Sequence, residues 1–340
     1  MKKPIILAGG SGLIGRLLAQ HFKAQGHPVV VLTRGKPRLA KEVEYRHWDP
    51  EMPGDLHLHL EGAHAVIGLA GATVDRRYTA QGKWDILHSR SSSTLAIGDA
   101  LARCTDPPKL WLQLGTATIY RHAEDRPMDQ YTGELGTGFS VEVARTWEAV
   151  AQSVPLPRTR LAILRCAMVM SPLGGVLPRL VQLTRLGLGG KHASGDQYVS
   201  WIHGQDLCCA IQHILDRTDA AGVYDLAAPE PTRDGYLMAQ LRARFRPWLA
   251  LPQPRWMLKL GAFLLRTESE LILKSRRVVP TRLLREGFTF RYPGITSALM
   301  DLLKEPELKP APSASDGRNS VYPAPHRPAQ SSGMATGWNS

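Results

Sequence analysis

Three glycines, at 9, 12 and 15 in the stretch AGGSGLIG, have the spacing of a loop that can hold a phosphate group. The strand-like run PIIL precedes them and an apolar pattern at helical spacing follows over residues 13–25. In such a loop Gly9 lets the strand turn sharply and Gly12 lets backbone approach a pyrophosphate. Gly15 lets the following helix close on the strand, and Leu13 and Ile14 open that helix, whose free N–H groups face the phosphate charge. A strand before, a helix after and a second strand on time predict dinucleotide binding. That second strand ends in VVVLTRGKPR. An acidic residue there would bind the ribose 2′-hydroxyl of NAD, but Thr33, Arg34 and Lys36 stand there instead. Arginine forks onto a 2′-phosphate, so the expected cofactor is NADP(H); the competing reading is a solvated basic loop.

Further residues extend the same surface. Asp49, in RHWDP, ends an expected third strand, where its carboxylate would accept from the adenine amino group; a loop or capping role competes equally. Leu69, Ala70 and Gly71 end the fourth, small enough for backbone to approach the cofactor. A polar cluster follows in RRYT at 76–79, with Lys83, Ser89 and Arg90, placed for a substrate or the cofactor; a solvated helix face competes equally, and Arg90 is the cofactor candidate.

These residues need a scaffold, and the pattern supplies one. PIIL, PVVVLT, HAVIGLA, KLWLQLG and RLAILRC are short apolar runs, with amphipathic stretches between several of them at 13–25, 84–103 and 139–152. Such alternation predicts an α/β fold, a Rossmann-like doubly wound parallel sheet of about seven strands. A smaller C-terminal α/β domain is expected to close over the strand ends. The expected division is 1–170 for the nucleotide-binding domain and 171–304 for the substrate domain, with some segments of the latter returning to the first. Helical patterns are expected around 233–245 and 254–275. Residues 305–340, dense in Pro, Ser, Ala and Gly, are expected to be disordered.

Composition narrows the function classes. The net charge of +12 comes from 42 Lys and Arg against 30 Asp and Glu, scattered along the chain, with no nucleic-acid-reading signature. A basic protein with a polyanionic cofactor is the expected reading, with no nucleic-acid partner. The four cysteines have no metal-binding spacing, so no metal is expected and the thiols read as reduced. The apolar run after Lys2 and Lys3 breaks at Gly9, too short for a secretory segment, and nothing reaches membrane-spanning length. A cytoplasmic protein without a membrane partner is expected.

The chain resembles the extended short-chain dehydrogenase/reductase superfamily over roughly residues 3–303. More narrowly it resembles the NAD(P)-dependent epimerase/dehydratase-like proteins that end in a C-terminal domain of unknown function. GGSGLIG, GLAGATVDRRYTAQGKWDILHSR, SPLGGVLPRL, LGLGGKHASGDQYVSWIHGQDL, AAPEPTRDGYLMAQL and ESELILKSRRVVPTRLLREGFTFRYP carry the likeness in order. The resemblance implies a Ser or Thr, a Tyr and a Lys beside the nicotinamide, and a possible homodimer. Thr116, in TATIYRH, matches the hydroxyl residue. The expected Tyr-x-x-x-Lys falls in GFSVEVARTWE, with Phe139 or Ser140 at the tyrosine position and Val143 or Ala144 at the lysine position. Neither register has a phenol or an ammonium.

Tyr120, Glu142, Arg145 and Tyr131 lie near enough in sequence to be considered as substitutes. Glu142 would serve as a general acid if burial raised its pKa, and equally reads as an ion-pair partner of Arg145. Tyr120 reads more readily as a packing residue, and His203 in SWIHGQD reads as a satisfied structural histidine. The catalytic candidates are therefore Thr116, Tyr120 and Glu142. The expected function is an NADP(H)-binding oxidoreductase or epimerase acting on a small polar substrate, a nucleotide-linked one among the candidates. The alternative is an NADPH-binding sensor or scaffold without turnover.

Overall fold

Ile5 and Leu7 face one side of strand β1 (Ile5–Ala8), Ile6 and Ala8 the other, and all four are fully buried. A strand covered on both faces belongs inside a parallel sheet, and the sheet is built accordingly. The computed structural model describes residues 2–52, 54–74, 76–248, 251 and 274–304.

From β1 the chain runs through α1 (Leu13–Ala24), β2 (Val29–Thr33), a short edge strand β3 (Arg38–Ala40), β4 (Val43–His47) and α2 (Leu56–Leu60). It then crosses to the other side of β1 for β5 (Ala65–Gly68), α3 (Ala80–Arg103), β6 (Leu110–Thr116), α4 (Phe139–Gln152) and β7 (Arg160–Cys166). After β8 (Met168–Met170), α5 (Val176–Leu183), β9 (Tyr198–Val199) and β10 (Trp201–His203), α6 (Gly204–Asp216) and β11 (Gly222–Leu226) return to the sheet. The described chain closes with β12 (Thr232–Arg233), α7 (Asp234–Phe245), α8 (Thr281–Arg285) and α9 (Ile295–Leu302).

The strand order is β11-β7-β6-β5-β1-β2-β4-β3, parallel except for β3 against β4. Seven parallel strands are thus joined by one antiparallel edge strand, which the apolar pattern did not signal because Arg38 and Leu39 are exposed. The order reverses direction at β1, opening a crevice between the C-terminal ends of β1 and β5, the place where this kind of sheet binds ligands.

One face of the sheet packs Leu18 and Phe22 of α1 and Leu207, Ile211 and Ile214 of α6 against Ile5 and Leu7. The other packs Leu56 and Leu60 of α2 and Ile97 and Leu101 of α3 against Ile6 and Ala8. Each large aliphatic or aromatic side chain so buried contributes roughly 1.5–3 kcal/mol. A further apolar cluster forms beyond the sheet around Met170, Leu177, Trp201, Met238 and Leu299. It lies within the same compact unit as the sheet, and a domain boundary at residue 170 is proposed on it. The 254–275 pattern, but for its last two residues, and the tail from 305 lie outside the described residues. No helix among the described residues is long and apolar enough to cross a membrane.

Candidate functional site

The glycine loop has three distinct geometries. Gly9 ends β1 at φ +80°, and a Cβ there would stand 2.5 Å from the Cα of Ala70. This residue needs both the left-handed conformation and the missing side chain. A Cβ on Gly15 would collide with the carbonyl of Gly10, so its absence lets α1 sit close to the loop. Gly12 differs from both. It caps α1, and no atom from beyond its own stretch of chain lies within 4 Å of the place a Cβ would take. Two glycines therefore allow close packing and the third borders open space, in front of a helix start with no acidic residue in its first turn. Gly174 and Gly175 approach the same helix start, with their Cβ positions 3.7 and 3.1 Å from the methyls of Leu13. The sequence signalled these two only as part of a turn.

At the end of β2, Thr33 is buried and its Oγ1 accepts from Gly35 N at 3.3 Å, shaping the turn that carries the basic residues. Arg34 and Lys36 are exposed and make no hydrogen bond or ion pair with any described residue. Asp49 lies two residues beyond β4. One of its carboxylate oxygens closes a turn by accepting from Glu51 N at 3.1 Å, and the other has no partner among the described residues. The turn role expected for it is thus present, with one oxygen left over.

Leu69, Ala70 and Gly71 leave β5 beside the glycine loop. Arg90 reaches back from α3 to this exit: its Nη1 donates to the carbonyls of Ala72 (3.1 Å) and Ile86 (2.9 Å), and its Cζ lies 5.0 Å from the Trp147 ring centre. A Cβ on Gly71 would be 3.1 Å from that Cζ. No carboxylate pairs with Arg90 among the described residues, and burial lowers its pKa to about 10. The cation therefore lacks an anionic partner at the strand ends.

The three catalytic candidates do not come together. Thr116 is half-buried at the end of β6. Its Oγ1 donates to Thr118 Oγ1 (2.9 Å) and accepts from Thr118 N (3.2 Å), capping the turn Ala117–Ile119. Thr118 is a second hydroxyl in this place, and the sequence did not single it out. Tyr120 is 1% exposed, inside the protein rather than in the crevice. Its hydroxyl donates to Asp225 (2.9 and 3.0 Å) and accepts from Arg165 Nη1 at 2.8 Å, while Arg165 forks onto Glu148 through two 2.8 Å bonds. Gln130, with its amide turned to donate, adds a 2.7 Å bond to Asp225. Burial pushes the Tyr120 phenol upward and the Asp225 carboxyl up to about 7. Tyr120 is thus held in a buried hydrogen-bonded network. Glu142 lies exposed on α4, as does Arg145, and the two make no ion pair. The burial that a general acid at Glu142 requires is absent, because Val141, Val143 and Ala144 take the inward face of that turn.

Other singled-out groups serve the scaffold. His203 accepts from Gln205 N at 3.0 Å, capping α6, and stacks on Tyr292. Arg76 pairs with Asp85 at 2.6 Å, and Tyr131 is exposed beneath Arg285. Burial raises the thiols of Cys104 to about 11 and of Cys166 and Cys208 to about 12, which disfavours the thiolate. No cluster of three metal-ligating side chains occurs among the described residues. An apolar groove of about 490 Å³ along α5, lined by Leu177, Val181 and Leu303 among others, includes none of the candidate residues.

A dinucleotide fits the residues at the strand ends. Open space borders Gly12, Arg90 lacks an anion, and two further cations stand beyond β2. The model of the NAD-dependent epimerase/dehydratase family matches residues 5–227, and a domain of unknown function matches 253–302. The chain belongs to the NAD-dependent epimerase/dehydratase family. It is 31% identical over 307 residues to an epimerase family protein of Mycobacterium bovis, covering 87% of this chain and 96% of that one. A crystal structure of a human epimerase family protein with NADPH superposes with a TM-score of 0.78 at 25% identity, covering 88% of this chain and 98% of that one. A nucleoside-diphosphate sugar epimerase from Corynebacterium glutamicum gives 0.71 at 26% identity, covering 89% of this chain and 58% of that one.

Within that family this chain departs where the tyrosine and lysine are expected. Phe139 is half-buried and Ser140 buried at the start of α4. Ala144 packs in one apolar cluster with Ala117 and Ile119, and Val143 is also buried. A lysine at either 143 or 144 would have to carry its ammonium out of an apolar setting.

Proposed function

We propose that the protein is an NADP(H)-binding oxidoreductase or epimerase-like enzyme that acts on a small polar, nucleotide-linked substrate without the Tyr-x-x-x-Lys pair. The observation that carries this reading is the open space at Gly12, set between Arg90 on one side and Arg34 on the other. The backbone around Gly12 would hold the pyrophosphate, and Arg34 with Lys36 the 2′-phosphate. Leu69 to Gly71 would border the cofactor, and the free oxygen of Asp49 would accept from adenine. The dinucleotide, when bound, supplies or accepts a hydride. Thr116, with Thr118 beside it, orients the substrate oxygen by a hydroxyl hydrogen bond at the end of β6. The NADPH of the human relative and the nucleoside-diphosphate sugar of the corynebacterial one support the cofactor and substrate classes.

The test is a fluorescence titration with NADPH and with NADH, for the wild type and for Arg34→Asp. The wild type is expected to prefer NADPH, and the variant to lose about 10- to 100-fold in NADPH affinity, the value of one charge-assisted contact, with little change for NADH. Equal losses for both cofactors would show that Arg34 does not read the 2′-phosphate. Oxidation of bound NADPH is then followed across carbonyl compounds and nucleotide sugars. Binding without oxidation by any of them would favour the sensor reading, to which the buried positions of Val143 and Ala144 also point.

A further inference from the structure

The start of α4 lacks its own phenol and ammonium, but another element brings both groups to it. The Tyr78 ring meets the Phe139 ring edge-on, centres 4.7 Å apart, and the Lys83 Nζ lies 5.1 Å from the centre of the same Phe139 ring. Both residues come from the entry to α3. That entry is held in place: Thr79 caps the helix by accepting from Gly82 N at 3.1 Å, and a Cβ on Gly82 would collide with the carbonyl of Arg77. The Arg76–Asp85 pair ties the preceding turn to the helix at 2.6 Å.

The position is continuous with the cofactor site. Arg90, which lies against Gly71 at the exit from β5, is borne by the same helix α3 that Tyr78 leads into. Phe139 opens α4, whose Val141 and Ala144 pack with Ala117 and Ile119 in the turn that follows Thr116. Tyr78 therefore stands at the start of α4, whose first turns pack on the residues that follow Thr116.

We propose that Tyr78 is the proton donor and acceptor of this enzyme, with Lys83 a positioning residue that holds a positive charge against the same Phe139 ring. This rests on the oxidoreductase reading above. In the reductive direction the Tyr78 O–H bond breaks and its proton goes to the substrate oxygen, onto which the carbonyl π pair has been displaced as the carbon gains its hydride. The phenolate left on Tyr78 regains a proton from solvent. In the oxidative direction the same bonds form and break in reverse.

The first test needs no turnover. Tetranitromethane nitrates accessible tyrosines, and peptide mapping reads each one separately. Saturating NADP⁺ is expected to abolish nitration at Tyr78 and to leave Tyr131 and Tyr236, 54% and 50% exposed, reacting as before. Undiminished nitration of Tyr78, with cofactor binding established by titration, would overturn the proposal and leave the cofactor reading standing. Failure of NADPH to bind would overturn that reading itself. The second test is kinetic, with any compound the wild type turns over. Tyr78→Phe should lower kcat by about 100-fold or more with KM and NADPH affinity unchanged. Lys83→Met should lower kcat in the same way and Lys83→Arg restore it. Full activity in Tyr78→Phe would remove Tyr78 from the chemistry, and a wild type that binds NADPH but turns over nothing would sink both readings.

Discussion

Changing Asp225 to Asn tests whether the Tyr120 hydroxyl belongs to the scaffold, and the expected magnitude follows from the site. Asp225 is 1% exposed on β11, and burial pushes its carboxyl from 3.8 up to about 7, against the opposing pull of the Tyr120 hydroxyl and Arg165. One unit corresponds to about 1.4 kcal/mol, so the displacement amounts to about 4 kcal/mol. The folded protein binds this proton more tightly than the unfolded chain. Its stabilising contribution is therefore complete below the unfolded pKa and is lost as pH rises through about 7. An amide at this position cannot ionise and still accepts from Tyr120. In urea unfolding at about pH 4, 5.5, 7 and 8.5, Asp225→Asn should gain on the wild type by about 1.4 kcal/mol per pH unit, levelling off above neutrality. Carboxylates held low by their partners, such as Glu44 and Asp301, weaken the fold as pH falls, but they do so in both proteins and cancel in the difference. NADPH affinity should not change. A difference that stays flat across the window would show that Asp225 is already ionised in the fold, and the account of the Tyr120 network would be wrong.

Three further outcomes follow from the strand ends. Gly12→Ala should unfold at the wild-type temperature, since no atom meets its Cβ, yet bind NADPH weakly. Gly15→Ala should lose about 3 kcal/mol through its clash with Gly10, and thermal unfolding alongside the NADPH titration separates the two effects. Arg90→Met should weaken NADPH binding with little loss of stability, because it relieves a buried charge. NADPH titration and thermal unfolding of the two proteins decide it.

The local signals in this sequence were those that spacing alone can carry. Gly9, Gly12 and Gly15 between an apolar run and a helical pattern, the want of an acid after VVVLT, and the missing phenol and ammonium in GFSVEVARTWE could all be read directly, and the alternation of elements gave the doubly wound sheet. Short or solvent-facing elements escaped: β3 has two of three residues exposed, and α2 is only five residues long. Helical spacing likewise placed Glu142 on α4 but not on its outward face, which depends on what the helix packs against. Tertiary structure decided the rest. Tyr120 finds Asp225 across 105 residues because β6 and β11 flank β7, and Arg90 reaches Gly71 because α3 runs back along the exit of β5. Tyr78 and Lys83 meet Phe139 because the entry to α3 and the start of α4 come together at one end of the sheet. Spacing along a chain fixes which face of its own element a side chain takes, whereas a neighbour from another element is set by strand order and by how the helices pack over it.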